Sequence, residues 1–109
     1  MPTPGDVVFA PFPGADGVKD RPAVVVSSDL YHSVRPDVIL GLLTTQIGVA
    51  TLPTDYVLQD CAAAGLRFPT AFRCYFVTMD VRDVYGQFGV LSDRDWAEVQ
   101  ARLRLAMAV

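Results

Sequence analysis

The stretch Arg21-Pro22-Ala23-Val24-Val25-Val26-Ser27 limits the possible folds of this chain more than any other. Three successive β-branched residues favour a strand, and an unbroken apolar run predicts one covered on both faces. Pro22 has no N–H, so it is expected at the first position of that strand. It also biases Arg21 toward extended backbone. Arg21 is then held at the mouth of a rigid core element with its guanidinium free to face a cleft, a mounting that suits a binding or catalytic group. The competing use of the same charge is an ordinary pairing with Asp20.

The 109 residues are read as one domain spanning 1–109, with a single modest core. An apolar fraction of 51% and a charged fraction of 19% describe a folded protein, and so apolar a small domain is expected to hide part of the surplus in a homodimer interface. Apolar runs such as Val38–Leu43 are too short to cross a bilayer. The N-terminus lacks the basic start and apolar core of a signal peptide, so a cytoplasmic protein is expected. Cys61 and Cys74 have no CxxC spacing and the one histidine is His32, which predicts free thiols and no metal site. His32 is expected to be solvated in a loop.

A net charge of −3 argues against wrapping nucleic acid by bulk attraction. The sign of a local patch is a separate matter. Lys19 is the sole lysine, and the other basic residues are arginines, whose planar fork suits phosphate oxygens. Asp93, Asp95 and Glu98 concentrate acidity in the C-terminal segment and leave the rest less acidic.

Along the chain, Gly5 to Pro11 reads as a strand, followed by a Gly- and Pro-rich loop over Phe12 to Asp20. Asp29 to Pro36 reads as a polar crossing. A third strand runs from Asp37 to Gln46, with Thr44 and Gln46 on one face and Thr45 on the other. Thr54 to Leu58 is a short strand. Asp60 to Gly65 reads as a helical turn with an Asp cap and a Gly stop. Phe68 to Thr78 places Arg73 and Tyr75 on one face and Phe72, Cys74 and Phe76 on the other. Asp80 to Asp83 is a turn, and Val84 to Val90 is a sixth strand. Ser92 then caps the only long helix, whose Trp96, Val99, Leu103 and Met107 form one apolar stripe, with Leu105 and Val109 off it. The expected class is α+β, mainly β: a small, strongly bent barrel, or two orthogonal small sheets, with a C-terminal helix.

Gly5-Asp6-Val7-Val8, Arg21-Pro22-Ala23-Val24-Val25-Val26-Ser27, Thr44-Thr45-Gln46, Thr78-Met79-Asp80 and Gly89-Val90-Leu91-Ser92 occur in an order that resembles the MazF/PemK family of toxins from type II toxin–antitoxin systems. The resemblance covers nearly the whole chain. It implies an SH3-like barrel that dimerises, cuts single-stranded RNA at short sequences without a metal or cofactor, and is blocked by a cognate antitoxin. The family's catalytic arginine and threonine fall on Arg21 and Thr44, and Gln46 matches a substrate-contacting position. Arg73-Cys74 matches an Arg-Cys pair of the PemK branch, which makes Arg73 an RNA or phosphate contact. Lys19, Asp20, Thr45 and Tyr75 complete the expected RNA-binding set. Two departures stand out. The loop before Arg21 reads Gly17-Val18-Lys19-Asp20 where many members carry Glu-Gln, and Tyr75 replaces an acidic residue of the PemK branch. Asp20 is the candidate replacement carboxylate.

Metal-free RNA cleavage by the 2′-hydroxyl requires proton removal, relief of charge on the phosphorane and protonation of the leaving oxygen. Arg21 suits the second task and is a poor base. Thr44 can donate to a non-bridging oxygen, Gln46 can read a base edge, and Tyr75 is the preferred stacking ring over Phe12 and Tyr31. Two other readings are a gyrase-binding toxin of the same fold, of the CcdB type, and a catalytically silent binding module. The CcdB group relies on a Trp close to its C-terminus, whereas Trp96 opens the helix here.

Overall fold

The computed structural model describes residues 2–109. Six strands form one antiparallel sheet: β1 (Asp6–Gly14), β2 (Gly17–Val25), β3 (Asp37–Thr44), β4 (Tyr56–Val57), β5 (Ala71–Asp80) and β6 (Gly86–Val90), in the order β4-β5-β3-β2-β1-β6. Two helices accompany it, α1 (Asp29–Val34) and α2 (Asp93–Ala106). The sheet curls into a half barrel.

Both faces of the sheet are covered, as the valine run predicts. Val7, Val24, Leu43, Phe72 and Leu91 face α2, where Val99 is fully buried and Trp96 and Leu103 pack alongside. Val8, Ala10, Phe12, Ala23, Val25, Val38 and Leu40 form a second cluster on the other face. Val24 and Val25 therefore point in opposite directions, and both are completely buried. Met107 does not join the stripe: it lies past the end of α2 and is exposed.

Two bulges drive the curl. Opposite Gly41 and Leu42, β5 carries two residues, Cys74 and Tyr75, that have no partner on β3. A two-residue insertion keeps the in–out alternation while bending the strand. Gly41 is required at this bend, because a Cβ there would come within 2.5 Å of the Phe72 ring. Between β1 and β6, Phe88 is the extra residue.

Four local expectations change. The segment Phe12 to Asp20 is not a loop. β1 and β2 continue to a hairpin whose turn is Ala15-Asp16, closed by Gly14 opposite Gly17. Burial of Phe12 carries β1 beyond Pro11. Pro22 accordingly sits inside β2, which it can do because pairing with β3 begins only at Ala23 and leaves an open edge beside the proline. The polar crossing contains helix α1, capped by Ser28, whose Oγ accepts from the Tyr31 N–H at 3.1 Å. His32 is buried instead of solvated, with Nε2 2.5 Å from the Ser27 hydroxyl.

Asp60 does not cap its own turn. Its carboxylate receives Arg94 Nε and Nη2, both at 2.7 Å, and the Ser92 hydroxyl at 2.6 Å. These donors, Arg94 first, hold the Asp60 carboxyl down to about 2. The neighbouring Asp95 is fully buried and accepts from the Tyr56 hydroxyl at 2.6 Å and from the Gln59 and Asp60 N–H groups, both at 2.9 Å. Burial and the Asp95 carboxylate together push the Tyr56 phenol well above its ordinary value. The first turn of α2 is thereby fastened to the segment following β4.

Asp95→Ala orphans three donors and is expected to lower stability by about 3 kcal/mol or more, read from chemical denaturation. The Asp60 carboxyl lies lower in the folded chain than its ordinary 3.8, so the native state favours its charged form. Its contribution is complete above about pH 4 and fades as pH falls through about 2. The stability difference between wild type and Asp60→Asn is expected to shrink across that interval in thermal melts.

Candidate active site

The in–out alternation of three adjacent strands determines which side chains meet. Leu42 of β3 is the cross-strand partner of Ala23 on β2 and of Arg73 on β5. Arg21 and Thr44 lie two residues further along their strands, on the same face as Ala23 and Leu42. All of them belong to the face that carries the Phe12–Val25–Leu40 cluster, beyond its edge. The result is a hollow of about 330 Å³ lined by Arg21, Thr44, Gln46, Arg73 and Tyr75, with the hairpin tip at Pro13–Ala15 as its outer wall.

Tyr75 closes one side. Its hydroxyl donates to the Pro13 carbonyl at 3.1 Å, and its ring meets Phe12 edge-on at 5.7 Å between centroids. The β5 bulge thus reaches across to the hairpin tip. Thr44 is nearly buried, and its Oγ accepts from the Gln46 N–H at 3.1 Å. The Thr44 hydroxyl proton remains available to a guest. Arg21 has no carboxylate within ion-pair distance among the described residues, unlike Arg35, Arg73, Arg82, Arg94 and Arg102. Its charge is therefore uncompensated at the hollow. Pairing with Asp20, the competing use of Arg21, does not occur.

Arg73 is different. Its Nε donates to Asp55 Oδ1 at 3.2 Å, and Asp55 is itself held by the Leu52 N–H on Oδ2 at 3.0 Å. The Asp55 side chain is only 3% exposed, so this carboxylate is a fixed buttress. A second hollow of about 450 Å³ adjoins the first, sharing Leu42, Arg73 and Tyr75 and adding Leu52, Thr54, Asp55 and Cys74. Burial, and the Asp55 charge after it, push the Cys74 thiol up. Among the described residues no group of three or more His, Cys, Asp or Glu side chains is placed to hold a metal ion.

Of the side chains singled out from sequence, Arg21, Thr44, Gln46, Arg73 and Tyr75 converge. Thr45, Lys19 and Asp20 do not line this hollow. Thr45 points to the opposite face, into an apolar depression beside Phe9, Phe68 and Phe88. Lys19 shares the face of Arg21 but stands further out on the hairpin, opposite Phe12, and is exposed. Asp20 faces the other way, toward Tyr85. Burial first, and then the Asp20 charge, raise that phenol. Sequence reasoning passed over Asp55 and Leu42. Neither has a local signal, because their importance comes from burial and from register.

Fold and hollow together define a class: a small, curled antiparallel sheet backed by one C-terminal helix, with arginine and threonine side chains at the open end of its second core. The chain belongs to the family of PemK-like, MazF-like toxins of type II toxin–antitoxin systems, whose model matches residues 3–107. A comparison with curated proteins finds no match. Among solved structures, an endoribonuclease in complex with its cognate antitoxin from mycobacterial species superposes with a TM-score of 0.81 at 19% identity, over 97% of this chain and 94% of the other. The Mycobacterium tuberculosis toxin MazF-mt6 gives 0.74 at 22% identity, over 93% and 94%. A MazE–MazF structure from Deinococcus radiodurans gives 0.73 at 21% identity, over 100% and 97%. At these identities the likeness is one of fold, and it agrees with the barrel expected from sequence.

Removing the Asp55 carboxylate leaves a half-buried Arg73 cation and the Leu52 N–H without their partner. Asp55→Ala is expected to cost about 2 kcal/mol in urea unfolding.

Proposed function

We propose that this protein is an endoribonuclease toxin that cuts single-stranded RNA at preferred sequences, without a metal, by attack of the RNA's own 2′-hydroxyl. The observation that carries this reading is the convergence of an uncompensated Arg21 and the Thr44 hydroxyl on one hollow. The 2′-hydroxyl gives its proton to solvent water as its oxygen attacks phosphorus, the bond from phosphorus to the 5′-oxygen breaks, that oxygen takes a proton from solvent, and the products are a 2′,3′-cyclic phosphate and a 5′-hydroxyl. Negative charge on the non-bridging oxygens peaks in the transition state. Arg21 binds that charge through two N–H donors, and its grip tightens as the charge builds. Thr44 adds one donor that accepts no proton and needs no reorganisation. Gln46 and the Tyr75 ring supply hydrogen bonds and stacking for flanking bases. Asp20 faces Tyr85, so this reading gives it no role in the step.

The chain acts in the cytoplasm as a homodimer, and an antitoxin restrains it. The dimer reading draws on Leu105, Met107 and Val109, which are 67%, 42% and 101% exposed at the end of α2. The antitoxin reading follows the family, and the occupant of the groove is a disordered antitoxin tail that folds as it binds. Among the described residues no helix is long and apolar enough to cross a membrane. Trp96 is packed into the first core under Gly5, which leaves it no role as an exposed terminal anchor for a gyrase.

Incubation with naked single-stranded RNA tests the proposal. Arg21→Ala and Thr44→Ala are each expected to slow cleavage by about 10²-fold or more with circular dichroism and oligomeric state unchanged. A 2′-deoxy sugar at the cut site blocks the reaction, and EDTA has no effect. Intact RNA, or near-wild-type rates in both variants, would remove the nuclease assignment and leave a binding-only toxin.

A further inference from the structure

We infer that the 450 Å³ hollow beside the reaction site holds a guanine of the RNA, read by Arg73 under the control of Asp55. This rests on the ribonuclease reading above and adds to it the identity of one recognised base. Two arginines border the paired hollows, and their electrostatics differ. Arg21 has no carboxylate partner among the described residues and carries its full charge toward a phosphate. Arg73 is buttressed by a nearly buried Asp55, which occupies Nε and offsets the charge. The two Nη groups have no acceptor among the described residues, and Arg73 lines the hollow.

A charge-balanced, rigid fork loses much of its pull on an anion and keeps its geometry. What it fits best is a neutral edge presenting two adjacent acceptors, and guanine O6 and N7 form such an edge. Adenine places an amino donor where the fork also donates. Uracil lacks an equivalent pair of adjacent acceptors. Cytosine offers O2 and N3, but the hollow, about 450 Å³ and lined by Leu42, Leu52 and Tyr75, has room for a two-ring base. Asp55 is thereby a positioning residue. It stands in the wall of the hollow with its carboxylate turned to Arg73 Nε, and it holds the fork in the plane the base requires. The second carboxylate oxygen is tied to the Leu52 N–H, and the Asp55 carbonyl accepts from Arg102 Nε at 3.3 Å, so both ends of the buttress are anchored.

The test maps cleavage ends on a random-sequence RNA pool and, in parallel, sequences the RNAs retained by the protein from a 2′-deoxy-blocked pool. Guanine is expected at one fixed position relative to the cut, and at the same position in the retained pool. Replacing that guanosine with 7-deazaguanosine, which removes only the N7 acceptor, is expected to lower the cleavage rate by about tenfold. Arg73→Gln and Asp55→Asn are expected to collapse the ratio of guanine-containing to other substrates, a readout in which any general loss of activity or stability cancels. Asp55→Glu restores part of that ratio. Enrichment of cytosine or another base overturns the assignment. So does an Arg73→Gln variant that weakens all sequences equally and lowers the salt dependence of binding, which marks Arg73 as a phosphate contact. A pool left uncut refutes the nuclease reading, while the retained pool still decides whether guanine is read.

Discussion

The cross-strand row Ala23–Leu42–Arg73 is the constraint on which the rest depends. Side chains alternate strictly along a strand, so a slip of one residue in any of the three strands would send Arg21, Thr44 or Arg73 to the opposite face. The register is held because both faces are buried. Shifting β2 by one residue would exchange Val24 and Val25 between two cores of different shape. The same valines that keep the sheet in place therefore aim Arg21, three and four positions upstream. Stability and site geometry have one cause, and neither can be changed without the other.

Electrostatic asymmetry is built on that frame by the connections outside the central strands. Five arginines have carboxylate partners, and Arg21 has none among the described residues. The Asp60–Arg94 pair neutralises one charge at the start of α2, and together with the hydrogen bonds accepted by Asp95 it clamps the helix to the segment after β4. Neither Asp60 nor Asp95 lines the hollow. A chain with net negative charge can then present a local cation to a phosphate, because the field over a cleft reflects its nearest uncompensated groups.

Bulges do the remaining shaping. The extra pair Cys74–Tyr75 lets β5 bend without breaking its alternation, and the bend brings the Tyr75 hydroxyl to the Pro13 carbonyl at the far hairpin. The hollow is closed by a hydrogen bond between residues far apart in sequence. An acidic side chain at position 75 would not make that contact in the same way, so the departure from the PemK pattern has a structural consequence: a wall where a carboxylate would stand.

The sequence by itself determined the central strands and the terminal helix, while helix α1 and the outer arms of the β1–β2 hairpin went unmarked. Apolar periodicity, the valine run and the Ser92 cap marked strands and the terminal helix within a few residues, because those signals act over short distances along the chain. Alternation likewise put Arg73 with Tyr75 and separated Thr44 from Thr45. What only the tertiary structure decided was pairing: that Arg21 is left uncompensated, that Asp20 turns to Tyr85, that His32 is buried against Ser27, and that a carboxylate eighteen residues away in the chain buttresses Arg73. No local signal marks Asp55, since its role arises when β4 and β5 are brought side by side and water is removed between them. Strand register and bulges are settled by how two cores fill space, and that is a property of the assembled sheet.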